Sequence, residues 1–338
     1  MRWRVSDVMA DRECWTSPFC QAEEIIDRTL LKRNFGRSVE VTKTLANKQL
    51  AISKALETTL VAYARRFPVR RGKLRVVNGL WSTAARGRGT HRIAELKYGG
   101  LKMPCDIREM LQRQIFFFGT YFIEEEIIDC WMAFAEKATV IFDVGANAGI
   151  YSLAALVSQH KALVYAFEPT PEIAKRLREC AQLNNVGSNL LVYEVAVSDR
   201  NGEAQLHRCR GELGSNEGMN YIGKPDEPGS ERVSIISLDQ FCQTERIDHI
   251  DLLKLDVQGH EHSVLLGAKQ LIEAGHLRTI FMELNWGKPG QECPATESIG
   301  LLAQSGYRFL NPRDPKEWQE PGDWILGLSD VVAHREVK

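Results

Sequence analysis

The stretch Thr139–Gly149, T-V-I-F-D-V-G-A-N-A-G, constrains this chain more than any other. Val140, Ile141 and Phe142 are a short apolar run of the kind that forms a buried parallel strand. The run stops at Asp143 and breaks over Gly145, Asn147 and Gly149, after which Ile150-Tyr-Ser-Leu-Ala-Ala-Leu resumes at helical spacing. A strand that ends in a glycine loop and feeds a helix turns backbone N–H groups and a positive helix end toward a ligand. Glycine is required wherever the ligand comes closer to the backbone than a Cβ allows.

Two kinds of cofactor use loops of this sort. A dinucleotide fingerprint is G-x-G-x-x-G with a pyrophosphate on the helix start. Here the spacing is Asp143-x-Gly145-x-Asn147-x-Gly149, so the second glycine is replaced and an acid precedes the loop. That acid repels a pyrophosphate but suits a ligand with an ammonium and a sulfonium, such as S-adenosyl-L-methionine. The next apolar run, Ala162–Phe167, ends in Glu168-Pro169. A carboxylate at that strand tip accepts the ribose hydroxyls of a nucleoside. An NAD-dependent oxidoreductase is accordingly the weakest reading.

With 338 residues, 44% of them hydrophobic, and a net charge of -1, the chain has a full-sized globular core and no overall bias toward nucleic acid or membrane. Its eight cysteines show no C-x-x-C pair and no zinc spacing, which suits reduced thiols in a cytoplasmic protein. The first residues are broken by charge too early for a secretory signal, and no apolar run approaches a membrane span. No metal site is expected, because one acid at a strand end is not a ligand set.

Along the chain, residues 19–32 and 38–67 have helical periodicity, the second with Leu45, Ile52, Leu56, Leu60 and Tyr63 near one face, and Pro68 stops it. This helix is expected to pack on the rest of the chain, with pairing to a second copy as the other option. Residues 65–97 carry ten basic side chains against one acid, Glu95. Such a run is either a solvated face or a patch for a polyanion. An RNA-methylating enzyme would use it for the phosphate backbone, although nucleic acid is not the expected partner. Gly72 and residues 85–89 suggest a linker within it. Residues 1–90 therefore form a helical and basic N-terminal region, and 91–338 the main domain with its core at 138–312. Within the latter come a strand pair (93–98, 101–103) and a helix capped by Asp106 over 106–113. An aromatic stretch at 115–122, expected against the main sheet, and a helix at 124–135 follow. Strands at 162–167, 190–195, 251–255 and 279–284 then alternate with helices at 171–184, 237–242 and 260–274. A hairpin (202–207, 231–236) is inserted around the polar loop 211–229. Two last strands, near 307–310 and 324–332, close as a hairpin. Alternating βα units imply a doubly wound, mostly parallel α/β sheet with an antiparallel edge strand.

In such sheets ligands sit at the carboxyl ends of the strands, here Asp143, Glu168, Ser198-Asp199, Asp256 and Glu283. Asp256 opens Asp-Val-Gln-Gly-His-Glu261, a sharp strand-to-helix turn that brings Asp256, His260 and Glu261 near the cofactor. A hydroxyl attacks a sulfonium methyl in line and reacts better when a base takes its proton, so these three are the candidates for base or orienting group. Glu261 has a second reading, as an anchor for backbone N–H groups at the helix start. Phosphate-loop and nucleophile-elbow motifs are absent from the sequence. Where base N-methylases carry a proline–aromatic turn, this chain has Asp-Val-Gln-Gly.

Phe-Asp143-Val-Gly-Ala-Asn-Ala-Gly-Ile-Tyr, Phe-Glu168-Pro, Ala-Val-Ser-Asp199, Ser-Leu-Asp239 and Lys254-Leu-Asp-Val-Gln-Gly-His-Glu-His-Ser-Val-Leu-Leu-Gly-Ala268 together resemble the FkbM family of S-adenosylmethionine-dependent methyltransferases, from about residue 106 to 312. The resemblance implies a class I methyltransferase (Rossmann-like) fold and O-methylation of a sugar, glycan or secondary metabolite. By position, Asp143, Gly145, Asn147, Gly149 and Glu168, with Ser198 and Asp256 beside them, would bind the cofactor. Asp256 and Glu261 would stand at the transfer site. The family usually has Glu where this chain has Gln258, so a non-catalytic scaffold that keeps a nucleoside pocket without turnover is the further reading of the sequence.

Overall fold

The computed structural model describes residues 46–67, 70–211, 214–215, 219–223, 230–285 and 294–336. A helix α1 runs through 46–66, followed by α2 (Lys73–Ala84), an antiparallel hairpin β1 (His91–Glu95) and β2 (Lys102–Asp106), α3 (Met110–Phe118) and α4 (Glu125–Ala135). Then come β3 (Val140–Val144), α5 (Ile150–Ser158), β4 (Leu163–Phe167), α6 (Pro171–Leu183) and β5 (Leu190–Tyr193). An inserted set follows: β6 (Ala196–Val197), β7 (Gly202–His207), β8 (Arg210–Gly211), β9 (Gly214–Ser215), β10 (Tyr221–Gly223) and β11 (Ser230–Ile236). The chain ends with α7 (Leu238–Glu245), β12 (Ile250–Leu255), α8 (Glu261–Leu266), α9 (Lys269–Ala274), β13 (Leu277–Glu283), α10 (Pro294–Gln304), β14 (Arg308–Leu310) and β15 (Asp330–His334).

The main sheet has the order β14-β15-β13-β12-β3-β4-β5, parallel except for β15, which runs antiparallel to both its neighbours. The antiparallel strand thus sits one place in from the edge. From β3 the chain winds outward to β5 and returns to β12 on the other side of β3. The point of reversal between β3 and β12 opens a crevice at the carboxyl ends of those strands. This is the class I methyltransferase fold. Alternation along the strands divides the core. Ile141, Val164, Leu252 and Phe281 pack under α4, α5 and α6, while Phe142, Leu253, Ile280 and Met282 pack under α7 to α10.

Several elements differ from the sequence expectation, each for a visible reason. Residues 19–45 lie outside the described residues. On α1 the buried line is Ser53, Glu57, Leu60 and Ala64, and Ile52 is exposed. Leu60 and Ala64 pack with Val77 and Ala84 of α2 against Phe117 and Phe118, so those two rings cover the N-terminal helices rather than the main sheet. Asp106 does not cap a helix. Its carboxylate accepts from the Arg108 N–H at 3.1 Å and pairs with the Arg108 guanidinium, and the helix starts later, at Met110. The basic run holds a helix, not a linker, and at least six of its ten cations have partners inside the molecule. Arg65 donates to the carbonyls of Glu95, Phe116 and Phe117, Lys73 to that of Ala64, and Arg70 to that of Phe122. Arg88 and Arg92 close on Glu57, and Lys97 on Glu125 and Asp129.

The helix expected over 260–274 is two, α8 and α9, broken at Gly267-Ala268. A Cβ on Gly267 would lie 2.0 Å from the Ser198 carbonyl oxygen, so the chain passes where only glycine fits. The freed start of α9 is capped from a distance: the Asp239 carboxylate accepts the Gln270 and Leu271 N–H groups at 2.9 and 3.1 Å. The helix α10 has no counterpart in the sequence reading. Among the described residues no helix is long and apolar enough to cross a membrane. Asp239→Ala removes both caps from a half-buried position and is expected to cost about 1–2 kcal/mol, read as a lower urea midpoint with unchanged m.

Candidate active site

The crevice between β3 and β12 is walled by both strand-to-helix turns. Gly145, at φ 82°, begins the first. A Cβ there would stand 2.0 Å from the Asp256 carbonyl oxygen, so the two turns are in contact at the one residue that permits it. The Gly145 and Ala146 N–H groups both donate to the Phe167 carbonyl at 3.0 Å, tying this loop to the end of β4. Asn147 adopts φ 45°, a conformation asparagine tolerates better than other side-chain-bearing residues. Its N–H donates to Glu168 Oε2 at 3.1 Å, and Thr170 N–H donates to Oε1 at 2.9 Å. Glu168 is thereby aimed at the mouth of the glycine loop while 5% exposed.

The second turn runs from Asp256 to Glu261. Glu261 Oε1 accepts the N–H groups of Val257 and Gly259, both at 3.1 Å. This is the anchoring role, and burial raises the acid above its usual range. Residue 258, between the two pinned amides, takes φ 53°. Its side-chain Nε2 lies 2.9 Å from Asp256 Oδ1 and 3.0 Å from Glu283 Oε2. His260 Nε2 is 2.8 Å from Ser198 Oγ, and burial lowers its pKa below the usual histidine value, so the ring is neutral near pH 7.

The residues lining the crevice include Gly145, Asn147, Glu168, Asp256 and His260, as expected, with Gln258 and Glu283. Tyr121 and Glu124 come from the segment before α4, and Leu206, Tyr221 and Ile222 from the inserted sheet. The other expected site residues lie behind this lining. Asp143 is buried and accepts from Ser152 Oγ at 2.6 Å, Gly149 starts α5 against Leu177, Ser198 backs His260, and Glu261 braces the turn. Asp143 supports the loop from within, and its carboxyl, pushed up by burial to about 6, is held by Ser152.

Beneath the crevice lies a group that sequence patterning did not single out. Lys254 is 1% exposed, with Nζ 3.7 Å from Asp256 Oδ2, 3.9 Å from Asp330 Oδ1 and 4.9 Å from the Tyr151 ring centre. The Tyr151 hydroxyl donates to Glu124 Oε2 at 2.6 Å. Burial alone would lower Lys254, but Asp256, Asp330, Glu124 and Glu283 outweigh it and hold the ammonium protonated. One cation therefore serves four acids. Burial pushes Glu124 up to about 7 against the pull of Lys254, and burial with the nearby Asp256 charge pushes Glu283 up to about 9. The lone signal for Lys254 in the sequence was its place as a cation inside an otherwise apolar strand run. Among the described residues no group of three or more His, Cys, Asp or Glu is placed to hold a metal ion.

Residues 143–309 match the family model described as the methyltransferase FkbM domain. Over 148 residues the chain is 32% identical to the 2-O-methyltransferase NoeI of Sinorhizobium fredii, covering 39% of this chain and 58% of NoeI. It is 26% identical over 164 residues to the hexuronic acid methyltransferase AglP of Haloferax volcanii, covering 48% of this chain and 63% of AglP. The 31-O-demethyl-FK506 methyltransferase FkbM of Streptomyces tacrolimicus is 26% identical over 200 residues, covering 52% of this chain and 75% of that protein. The chain thus spans less than two thirds of the length of NoeI and of AglP.

Acids whose folded pKa lies above the unfolded value keep a proton that the unfolded chain has lost, so their contribution to stability falls as pH rises through that interval. For Glu124 and Glu283 the interval runs from the usual glutamate range to about 7 and about 9. The melting temperature is expected to decline between pH 5 and 9, and Glu283→Gln to flatten the upper part of that decline, both measurable by scanning calorimetry.

Proposed function

We propose, from the premise that residues 143–309 belong to the methyltransferase FkbM domain family, that this chain transfers the methyl group of S-adenosyl-L-methionine to a hydroxyl of an uncharged saccharide or similar polyol. The observation that carries the reading is the excess of acidic over basic side chains in the crevice lining. Its described lining holds Glu124, Glu168, Asp256 and Glu283 and no lysine or arginine. Such a donor set fits a ligand with a sulfonium and an ammonium and disfavours the pyrophosphate of a dinucleotide.

Glu168 is the residue to hold the ribose hydroxyls, since its two oxygens are already oriented by backbone N–H groups. Gly145 and Asn147 form the floor beside it. When bound, the cofactor supplies an electrophilic methyl group. The acidic end of the crevice then receives the acceptor. Asp256, oriented on one oxygen by Gln258 and facing Lys254 on the other, is the group to take the hydroxyl proton as the new O–C bond forms and the C–S bond breaks. His260, neutral and bonded to Ser198, steadies the turn.

The acceptor class follows from the same lining. Carboxylates accept hydrogen bonds, so the ligand they select is rich in donors, as a polyol is. A uronate or phosphate would meet like charges without a described basic partner in the lining, and like-charge juxtaposition is costly in a confined site. The N-terminal helices belong with this domain through their carbonyl-clasping arginines, which leaves the basic run little capacity to track an RNA backbone.

Titration calorimetry is expected to give micromolar binding of S-adenosylmethionine, none of NAD, and about 10- to 100-fold weaker binding in Glu168→Ala, the loss of a charge-assisted pair of hydrogen bonds. NAD binding in place of S-adenosylmethionine would remove the methyltransferase reading. Labelled methyl groups are expected in a neutral glycan fraction over a matched uronic-acid fraction, and the opposite ratio would refute the uncharged acceptor.

A further inference from the structure

We propose that Gln258 is a positioning residue of the transfer site: its amide, bonded to both Asp256 and Glu283, aims the Asp256 carboxylate into the crevice. The proposal rests on the methyltransferase reading above and concerns a residue that forms no bond to the methyl group.

The geometry carries it. An amide nitrogen has two N–H groups, and Nε2 of Gln258 spends one on each acid, at 2.9 Å to Asp256 and 3.0 Å to Glu283. The other Asp256 oxygen faces Lys254 at 3.7 Å, so both oxygens of that carboxylate have fixed partners. The backbone at Gln258 is left-handed, φ 53°, a conformation that is strained for an L residue and persists only when its surroundings impose it. Here they do. Glu261 Oε1 clasps the N–H groups on either side, of Val257 and Gly259, and a Cβ on Gly259 would stand 2.9 Å from Asn285 Nδ2. The turn cannot relax without losing the clasp, so the strain is spent on placing one amide between two acids.

Donor character is the property that matters. A carboxylate at 258 would turn acceptors toward two acceptors, and only a bound proton could restore the bridge. Glu283 already bonds Asp256 directly, so an apolar side chain would remove only the amide donor that fixes how the Asp256 carboxylate faces. The other charged and titratable groups that face the pair are Lys254 of β12, Asp143 of β3, Tyr151 of α5, Tyr121 and Glu124 before α4, Glu261 of α8 and Asp330 of β15. Burial and the nearby Asp256 charge push Glu283 up to about 9, so it keeps its proton near neutral pH.

The test uses the full chain with Gln258→Leu and Gln258→Glu. In Gln258→Leu the Asp256 carboxylate loses the donor that fixes one of its oxygens and no longer faces the crevice in one orientation. The preference for S-adenosylmethionine over S-adenosylhomocysteine, which differ by the sulfonium charge, is expected to fall on the order of tenfold, about one charge-assisted hydrogen bond. The affinity for S-adenosylhomocysteine stays within about twofold, whereas a purely structural lesion would weaken both alike. Gln258→Glu needs no ligand. Its new carboxyl binds a proton more tightly folded than unfolded, so its melting temperature should match the wild type at pH 4.5 and fall progressively below it up to pH 9. An unchanged cofactor preference in Gln258→Leu, or a Gln258→Glu deficit that is the same at every pH, overturns the proposal. If Gln258→Leu does not fold, the pH series of Gln258→Glu decides alone. Failure of the wild type to bind either cofactor form would instead strike the methyltransferase reading, which the melting series does not touch.

Discussion

The ammonium of Lys254 is the constraint around which this site is arranged. A charge that is 1% exposed is tolerable only when it is matched, and the match here is spread over several elements. Asp256 stands two residues on, Asp330 arrives on β15, and Glu124 is held by Tyr151, whose ring also lies over the ammonium. Bringing these together requires β15 to insert beside β13 and the segment before α4 to cross the strand ends. The antiparallel strand one place in from the sheet edge thus has an electrostatic task as well as a packing one. Because one cation faces four acids, the surplus is handled by burial, which keeps Glu283 and part of Glu124 protonated. The crevice above inherits acceptor-rich walls.

Around that centre the turns are braced from behind. Glu261 clasps the turn after β12, Asp239 caps α9, Ser152 holds Asp143, and Ser198 holds His260. None of these four bracing side chains is among the residues lining the crevice. Their common function is to take backbone or side-chain groups that burial would otherwise leave unsatisfied, so that the lining residues have one conformation each.

The cofactor side of this arrangement was legible in the sequence because it depends on local rules. A buried strand, a glycine where two backbones touch, and an acid at the next strand tip are spaced by the chain itself, and Gly145 and Glu168 appear where those rules place them. Asp143 stands at the end of β3 where the strand rule puts it, and period-two alternation turns its carboxyl toward α5 and Ser152. The partnership of Lys254 with Glu124 and Asp330 could not be read, since those residues are separated by 130 and 76 positions and meet only through sheet order. The break between α8 and α9 was hidden too, because its cause is the Ser198 carbonyl, contributed by a distant strand end. Six cations of the basic run are engaged inside the molecule, Arg65, Arg70 and Lys73 on carbonyl oxygens, which leave no trace in composition, and Arg88, Arg92 and Lys97 on acids distant in sequence.

The division between matched and unmatched sequence has a physical counterpart. Residues 143–309 contain the glycine loop, Glu168, Asp256 and Gln258, the parts that a common cofactor would hold constant. Tyr121, Glu124 and Asp330 lie outside that span, yet they close the acidic end of the crevice or set its charge. Tyr221 and Ile222 lie inside the span but on the inserted sheet, whose pairing is independent of the main one. Under the function proposed above, Tyr121, Glu124, Tyr221 and Ile222 would meet an acceptor from the flanks and the insertion, Gly145, Asn147 and Glu168 would meet the cofactor from the sheet, and Asp256 would serve both. A fold arranged this way can vary its flanks and insertion without disturbing Gly145 against Asp256, because that contact joins two turns of the main sheet.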